Sequence, residues 1–313
     1  MRVPPAITAP GQSFTWSLSD GLFPLLTLVF VVATAIGISP AAPVILALLV
    51  AGVVILGLPH GALDPFVATQ LWGERQSFTM IRFLLLYTAL AAVCAAVWMI
   101  IPNVALAVFL GISAYHFGSD WEGRCTTWGQ NAFGISVVSV STLCQAEKVE
   151  EIYRQLGASV AHQIVAVSQV LAVVAVVAAL LAASSRSKFQ LTNRVELATV
   201  VVGGLVLPPL LFFTCYFCLL HSPRHLRETA RKLNLIELKD IARHAAPVVL
   251  ATLVLGVGLW VVLPGHAPSQ KVIQAVFIGL AALTTPHMLL TELNQRRSLL
   301  STQAVGCVGL HKL

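Results

Sequence analysis

The sequence predicts an all-α protein, a polytopic transmembrane helix bundle of about eight spans, or nine if one weaker stretch also crosses. Three observations predict it. Of 313 residues, 57% are hydrophobic and only 10% charged, whereas a soluble domain is nearer a quarter charged. Mean hydropathy is +0.86, which leaves too few polar residues to coat a globule of this size. The apolar residues also fall into runs approaching the roughly 20 that a spanning helix needs.

In chain order the candidate spans are about 21–38, 42–58, 81–101, 103–118, 160–183, 195–220, 245–263 and 271–292. Gln169–Ala183 and Val195–Leu220 carry no charge across most of their length. Gln130–Cys144 is the weaker stretch, short and interrupted by Asn131, Ser136, Ser139, Ser141 and Thr142. The N-terminus does not read as a signal peptide: Arg2 is followed by Pro4, Pro5 and Pro10, and the first apolar run starts near Gly21. The expected organisation is an N-terminal polar segment (1–20), one membrane-embedded catalytic domain (21–293) and a C-terminal tail (294–313). The basic segment 222–243 places Leu226, Ala230, Leu233 and Leu238 among charges and predicts an interfacial helix.

The net charge of +6 does not point to nucleic acid, because the basic residues sit in loops, where they orient a protein against membrane potential and anionic lipid. With eight spans, 15 of the 19 lysines and arginines fall on one side, and only Arg186, Lys188, Arg194 and Lys271 on the other. With nine, the split is 11 to 8. The positive-inside rule therefore predicts eight spans in the cell membrane with both termini cytoplasmic. That choice also decides the histidines. Eight spans bring His60, His116, His221, His225 and His287 towards one face; nine put the first two across the membrane from His221 and His225. Six cysteines give no disulfide framework, and Cys215-Tyr-Phe-Cys218, inside an apolar run, reads as packing before redox or metal work.

Ionisable groups at the ends of spans are costly, so they mark function by default. Pro59-His60-Gly-Ala-Leu-Asp64 and Tyr115-His116-Phe-Gly-Ser-Asp120 both read HxxxD where an apolar run ends. On a continuous helix the Asp shares a face with its His. It could fix the tautomer of a metal-bound ring, or the pair could merely cap a helix. His221-Ser-Pro-Arg-His225 has the HxxxH spacing that offers two imidazoles to one metal, although Pro223 could start a new helix there. Thr284-Thr-Pro-His287 lies inside the last span. His287 reads equally as a ligand, as a group supporting one, or as a satisfied core histidine. His162, His244, His266 and His311 read as ordinary surface or interface residues. Four neutral imidazoles without thiolate suit Fe, Zn, Cu or Ni. Aromatic residues crowd the same helix ends, and Tyr115, Phe117, Phe213, Tyr216 and Phe217 are candidates to line an apolar substrate cavity; their plain reading is packing and interfacial anchoring.

PHGALD, AYHFGSDW, HSPRH and TPH, in this order over roughly residues 50–292, resemble the motifs of the Brp/Blh family of bacterial and archaeal β-carotene 15,15'-dioxygenases. The resemblance implies an integral membrane enzyme that cuts β-carotene at its central double bond with O2, giving two molecules of all-trans-retinal. It also implies Fe(2+) held by His60, His116, His221 and His225, and a functional link to a microbial rhodopsin that uses the retinal. Substrate is expected to come sideways from lipid. A departure lies at Leu143-Cys144-Gln145-Ala146, which lacks the Pro and His-Pro that end the corresponding apolar stretch in the family.

Three rival readings stand beside this one. A membrane carotenoid hydroxylase or desaturase would use two irons and several histidine boxes, typically HxxHH, which this chain lacks. A transporter could use the His–Asp pairs as a proton relay. A non-catalytic retinal or carotenoid carrier could serve as partner to a rhodopsin.

Overall fold

Prolines and glycines set where the apolar runs turn, bend and touch. The computed structural model describes residues 17–72, 77–184, 190–235, 237–264 and 267–310; among them all regular structure is helical, with no strand. The first elements are α1 (Ser17–Ala35) and α2 (Ala42–Gly52), which runs through a π-helical stretch (Val53–Gly57) into α3 (Leu58–Gly61) and α4 (Asp64–Trp72). Then come α5 (Ser77–Ile100), α6 (Pro102–Gly118), a 3-10 turn (Ser119–Trp121), α7 (Thr127–Ser139) and α8 (Thr142–Gln155). The rest is α9 (Ala161–Ser184), α10 (Leu191–Val206), α11 (Pro209–Tyr216), a second π-helical stretch (Phe217–His221), α12 (Ser222–Lys232), α13 (Leu238–Val262) and α14 (Pro268–Leu310).

Among the described residues, five helical stretches are long and apolar enough to cross a membrane: Ala42–Trp72, Met80–Ile100, Ala161–Ser184, Leu238–Val262 and Pro268–Asn294. Gly21–Ala35 is a shorter apolar helix. Large apolar side chains point outward along these helices, with Leu86, Ile100 and Val262 at 71, 76 and 72% exposure. Water would not tolerate so continuous an apolar surface. This is the build of a multi-pass membrane protein.

Three expectations need correction. The apolar run 195–220 is not one helix. Leu207-Pro208 is extended, because proline at 208 and 209 cannot continue α10 and instead starts α11 at its first turn. Hydropathy alone averages over this break. The stretch around Gln130–Cys144 is not set apart from the bundle: α7 lies antiparallel to both α6 and α9. Gly118 sits against Gln130 and Gly134 against Ala114, while Gly129 sits against Ala182 and Gln169 Nε2 donates to the Thr142 carbonyl. A Cβ at Gly134 would fall 1.8 Å from the Ala114 carbonyl oxygen, so only glycine permits this approach. The basic segment 222–243 is not one interfacial helix. The chain leaves α12 through Asn234 at φ 57°, where Leu235 N–H caps the Ala230 carbonyl. Residues 238–243 already belong to α13. The last helix, α14, runs on from the expected span past residue 294 to Leu310.

These contacts sort the helix ends into two sets. At one end lie α3, the 3-10 turn, the start of α10 (Arg124 Nη1 donates to Asn193 Oδ1, 3.1 Å) and α12. At the other, Trp98 Nε1 donates to the Leu156 carbonyl (3.0 Å), Gln274 Nε2 to the Gln155 carbonyl (2.7 Å) and Gln145 Nε2 to the Leu207 carbonyl (2.5 Å). The last of these lies within Leu143-Cys144-Gln145-Ala146, the stretch expected to differ from the pattern that the sequence resembles. α8 kinks at Gln145, whose side-chain amide caps the end of α10.

Candidate metal centre

Two of the candidate histidine motifs begin with the same local device. Proline inside a helix lacks a donor and clashes with the carbonyl four residues back. For Pro59 that carbonyl belongs to Ile55, and for Pro223 to Leu219, and both lie in the π-helical stretches. There the N–H of Leu58 reaches Val53, and that of Ser222 reaches Phe217, five residues back. The wider turn absorbs each proline without ending the helix, and such bulges turn side chains that a regular helix would point elsewhere. So Pro223 does not separate His221 from His225; their rings lie 4.5 Å apart between centroids. The two wide turns also touch each other, since a Cβ on Gly57 would fall 2.7 Å from Phe217 Cε1.

The five imidazoles converge. His116 lies 4.7, 5.2 and 5.5 Å from His221, His225 and His287, and His60 lies 5.6, 6.4 and 5.3 Å from the same three, between ring centroids. One ring nitrogen from each of His60, His116 and His287 lies within 4.8 Å of the others, and the same holds for His116, His221 and His225. His116 belongs to both groups.

The carboxylates of the HxxxD motifs do not serve their own histidines, as helical spacing suggests, but cross to distant ones. Asp120 Oδ2 holds His221 Nδ1 at 3.0 Å and accepts from Tyr216 Oη at 2.5 Å. Its Oδ1 lies 3.3 Å from His225 Nε2. Asp64 holds His287 Nδ1 at 2.9 Å from both oxygens and accepts from Tyr87 Oη at 2.9 Å. The reason is local. α6 ends at Gly118 and tightens into the 3-10 turn that carries Asp120, while Asp64 starts a new helix after Ala62-Leu63. Neither pair shares one α-helix. His60 is held within its own turn, Nδ1 meeting the Gly57 carbonyl.

A cavity of about 370 Å³ opens beside the rings. His60, His116, His221, His287 and Asp64 line it, with Tyr87, Phe109, Phe117, Phe213 and Phe217. A smaller cavity of about 100 Å³ continues beyond Phe109, Ser113, Phe117 and Phe213, which line both. Two of the expected lining residues lie elsewhere. Tyr115 is 62% exposed, because the helical turn that sends His116 inward sends its neighbour out. Tyr216 is fully buried behind the histidines, against Asp120. His162 is exposed and meets Glu150, and His244 stacks edge-on with Phe66, while His266 and His311 lie outside the described residues. Cys215 and Cys218 are buried free thiols, the latter packed on Gly52.

The arrangement fits a metal ion. His221 Nε2 and His287 Nε2 are buried without a hydrogen-bond partner among the described residues, at a cost of about 1–3 kcal/mol each. Both rings present that nitrogen while a carboxylate holds the other, the usual support of a metal-bound histidine. Donors on one ion at about 2.0–2.1 Å lie within roughly 4.2 Å of one another, close to the spacing here.

The family model described as "Beta-carotene 15,15'-dioxygenase" matches residues 51–294, which contain all five histidines and both carboxylates. The chain belongs to that family. Family membership makes it an enzyme, a carotenoid oxygenase. It is 29% identical to the "Beta-carotene 15,15'-dioxygenase" of uncultured marine bacterium 66A03 over 248 residues, which is 77% of this chain and 90% of the relative. It is 27% identical over 298 residues to the "Probable beta-carotene 15,15'-dioxygenase Blh" of Halobacterium salinarum, 82% of this chain and 85% of the relative. No solved structure matches the chain.

Behind the histidines, this dioxygenase-family chain carries a charged layer that sequence reading missed. Glu196 is 3% exposed on α10 and accepts from Arg224 Nη2 at 2.7 Å and from Arg124 Nη1 at 3.4 Å. Arg224 Nη1 also donates to the Asp120 carbonyl at 3.1 Å. The central arginine of HSPRH thus ties α12 to the turn that carries Asp120. The available signals were an acid at the edge of an otherwise apolar run (Glu196) and a lone Tyr-Thr pair inside an apolar helix (Tyr87-Thr88).

Proposed function

We propose that this protein is an iron-dependent dioxygenase that cleaves the central 15,15' double bond of β-carotene with O2, giving two molecules of all-trans-retinal. The observation that carries the proposal is the cluster of imidazoles on the wall of an apolar, phenylalanine-rich cavity within the bundle. The family match and the relatives' names support it. His60, His116, His221 and His225 are the proposed ligands; when bound, the Fe(2+) supplies the one-electron chemistry that triplet O2 needs to react with a closed-shell alkene.

The chain's own residues do the rest. Asp120 holds the His221 proton on Nδ1, which directs the Nε2 lone pair to a metal. Phe117, Phe213 and Phe217 wall the cavity, exclude water and hold one double bond of the polyene in place. The balance closes without a reductant: the C15=C15' bond breaks, and each carbon takes one oxygen atom from O2. β-Carotene is about as long as the hydrocarbon core is thick, roughly 30 Å, so it must run past the histidines into both cavities. The retinal would serve a rhodopsin in the same membrane.

The catalytic domain, 21–293, is proposed to sit in the cell membrane with both termini cytoplasmic. Counting α7 as a crossing and α10 and α11 as two in place of one gives ten crossings, not eight, and keeps all five histidines towards one side. The described basic residues at the other end are then only Lys148, Arg154 and Lys271, a sharper positive-inside pattern than eight spans give.

A second reading, a di-iron hydroxylase or desaturase, is favoured by one observation, the two three-histidine groups that share His116. Expression in a β-carotene-producing host tests the main proposal. Orange colour should fade while retinal accumulates; hydroxylated or desaturated C40 products would favour the second reading, and unchanged carotenoid would reject both.

A further inference from the structure

Two Tyr–Asp–His arrangements face the same space, and only one is accounted for by the ligand set above. In the first, Tyr216 Oη donates to Asp120, Asp120 holds His221 Nδ1 at 3.0 Å, and His221 Nε2 is buried without a partner. In the second, Tyr87 Oη donates to Asp64 at 2.9 Å, Asp64 holds His287 Nδ1 at 2.9 Å, and His287 Nε2, like His221 Nε2, is buried without a partner among the described residues. The two repeat each other group by group on unrelated helices. A core histidine that only packs would have both nitrogens met, or would turn one to solvent. His287 does neither, being 6% exposed. The ring faces the cavity that His60 and His116 also line, and one of its nitrogens lies within 4.8 Å of donors on those two.

We propose that His287 is a further metal ligand through Nε2, with Asp64 and Tyr87 as its positioning residues. The inference rests on the metal centre proposed above and deepens it. α14 then supplies the group that closes the centre on the side of the cavity, and Tyr87, which lines that cavity, links the seating of the substrate to the hold on His287. Pro286 frees a carbonyl in the turn just before this ring, so the helix can bend there to present it.

The test uses the full-length protein in detergent, stripped of metal and titrated with Co(2+), whose visible absorption reports ligand number. Wild type, His221→Ala, His287→Ala and Asp64→Asn are compared. His287→Ala should weaken Co(2+) binding by about 10-fold or more and change the d–d spectrum, with free imidazole restoring both. Asp64→Asn, which keeps the side chain's shape while removing its charge and one acceptor, should weaken binding by about 10-fold, in the range seen when a ligand's support is altered. If His221→Ala loses Co(2+) while His287→Ala keeps wild-type affinity and spectrum, the inference falls and the metal centre stands. If neither variant changes binding, the metal centre falls with it.

Discussion

The two ends of the bundle are held by different chemistry. At the histidine end, charge does the holding: Glu196 and Arg224 pair under low exposure, and Asp120 and Asp64 each fix a distant ring. The helices there are bent by Pro59 and Pro223 through π-helical turns. At the opposite end, neutral donors meet carbonyls: Trp98 on Leu156, Gln274 on Gln155 and Gln145 on Leu207. Neutral hydrogen bonds keep helices in register at little risk. Buried charges stabilise only when every partner is present. A protein that keeps them at one end is using them to fix the orientation of particular side chains there.

Breaking a charged contact should therefore cost far more than breaking a neutral one. The largest effect is expected for Asp120→Ala, which frees both His221 and Tyr216. Cleavage activity should fall at least 100-fold with loss of bound metal, measured by retinal formation and by metal analysis of the purified protein. Next, Glu196→Gln should leave the half-buried Arg224 without its carboxylate, held only by the Asp120 carbonyl, destabilising the fold by about 3 kcal/mol. A melting temperature equal to wild type would mean that the ion pair does not brace the centre. Replacing Trp98 with Phe removes one neutral hydrogen bond and should cost only about 1 kcal/mol, with full activity retained. If Trp98→Phe proves as damaging as Glu196→Gln, the contrast between the two ends is wrong.

Topology sharpens the same contrast. A cysteine placed at Glu150 should react with an impermeant reagent from outside the cell, and one at Gln190 only after permeabilisation. The eight-span reading of the sequence predicts the reverse.

The sequence revealed the helical membrane build and the histidines themselves, because apolar runs and lone ionisable residues are local signals. It misleads wherever a helix is not continuous. The i,i+4 rule paired Asp64 with His60 and Asp120 with His116, yet α3 and α6 both end before their aspartates. Hydropathy ran α10 and α11 together across Pro208-Pro209, because a window average is blind to a turn made of apolar residues. The expected cavity role for Tyr115 failed by one residue of helical phase, and Tyr216 took the structural role of buttressing Asp120. Tyr87 and Glu196 act through partners 23 and 28 residues away, a link that only the fold creates.

The claim on which the account rests is that one metal ion joins imidazoles from four separate helical segments, with His116 common to both groups of donors. Iron content per chain, measured on wild type and on His116→Ala after anaerobic loading with Fe(2+), tests it most directly. The account predicts about one iron in wild type and almost none in the variant. Two irons in wild type, or an undiminished single iron in His116→Ala, would contradict it.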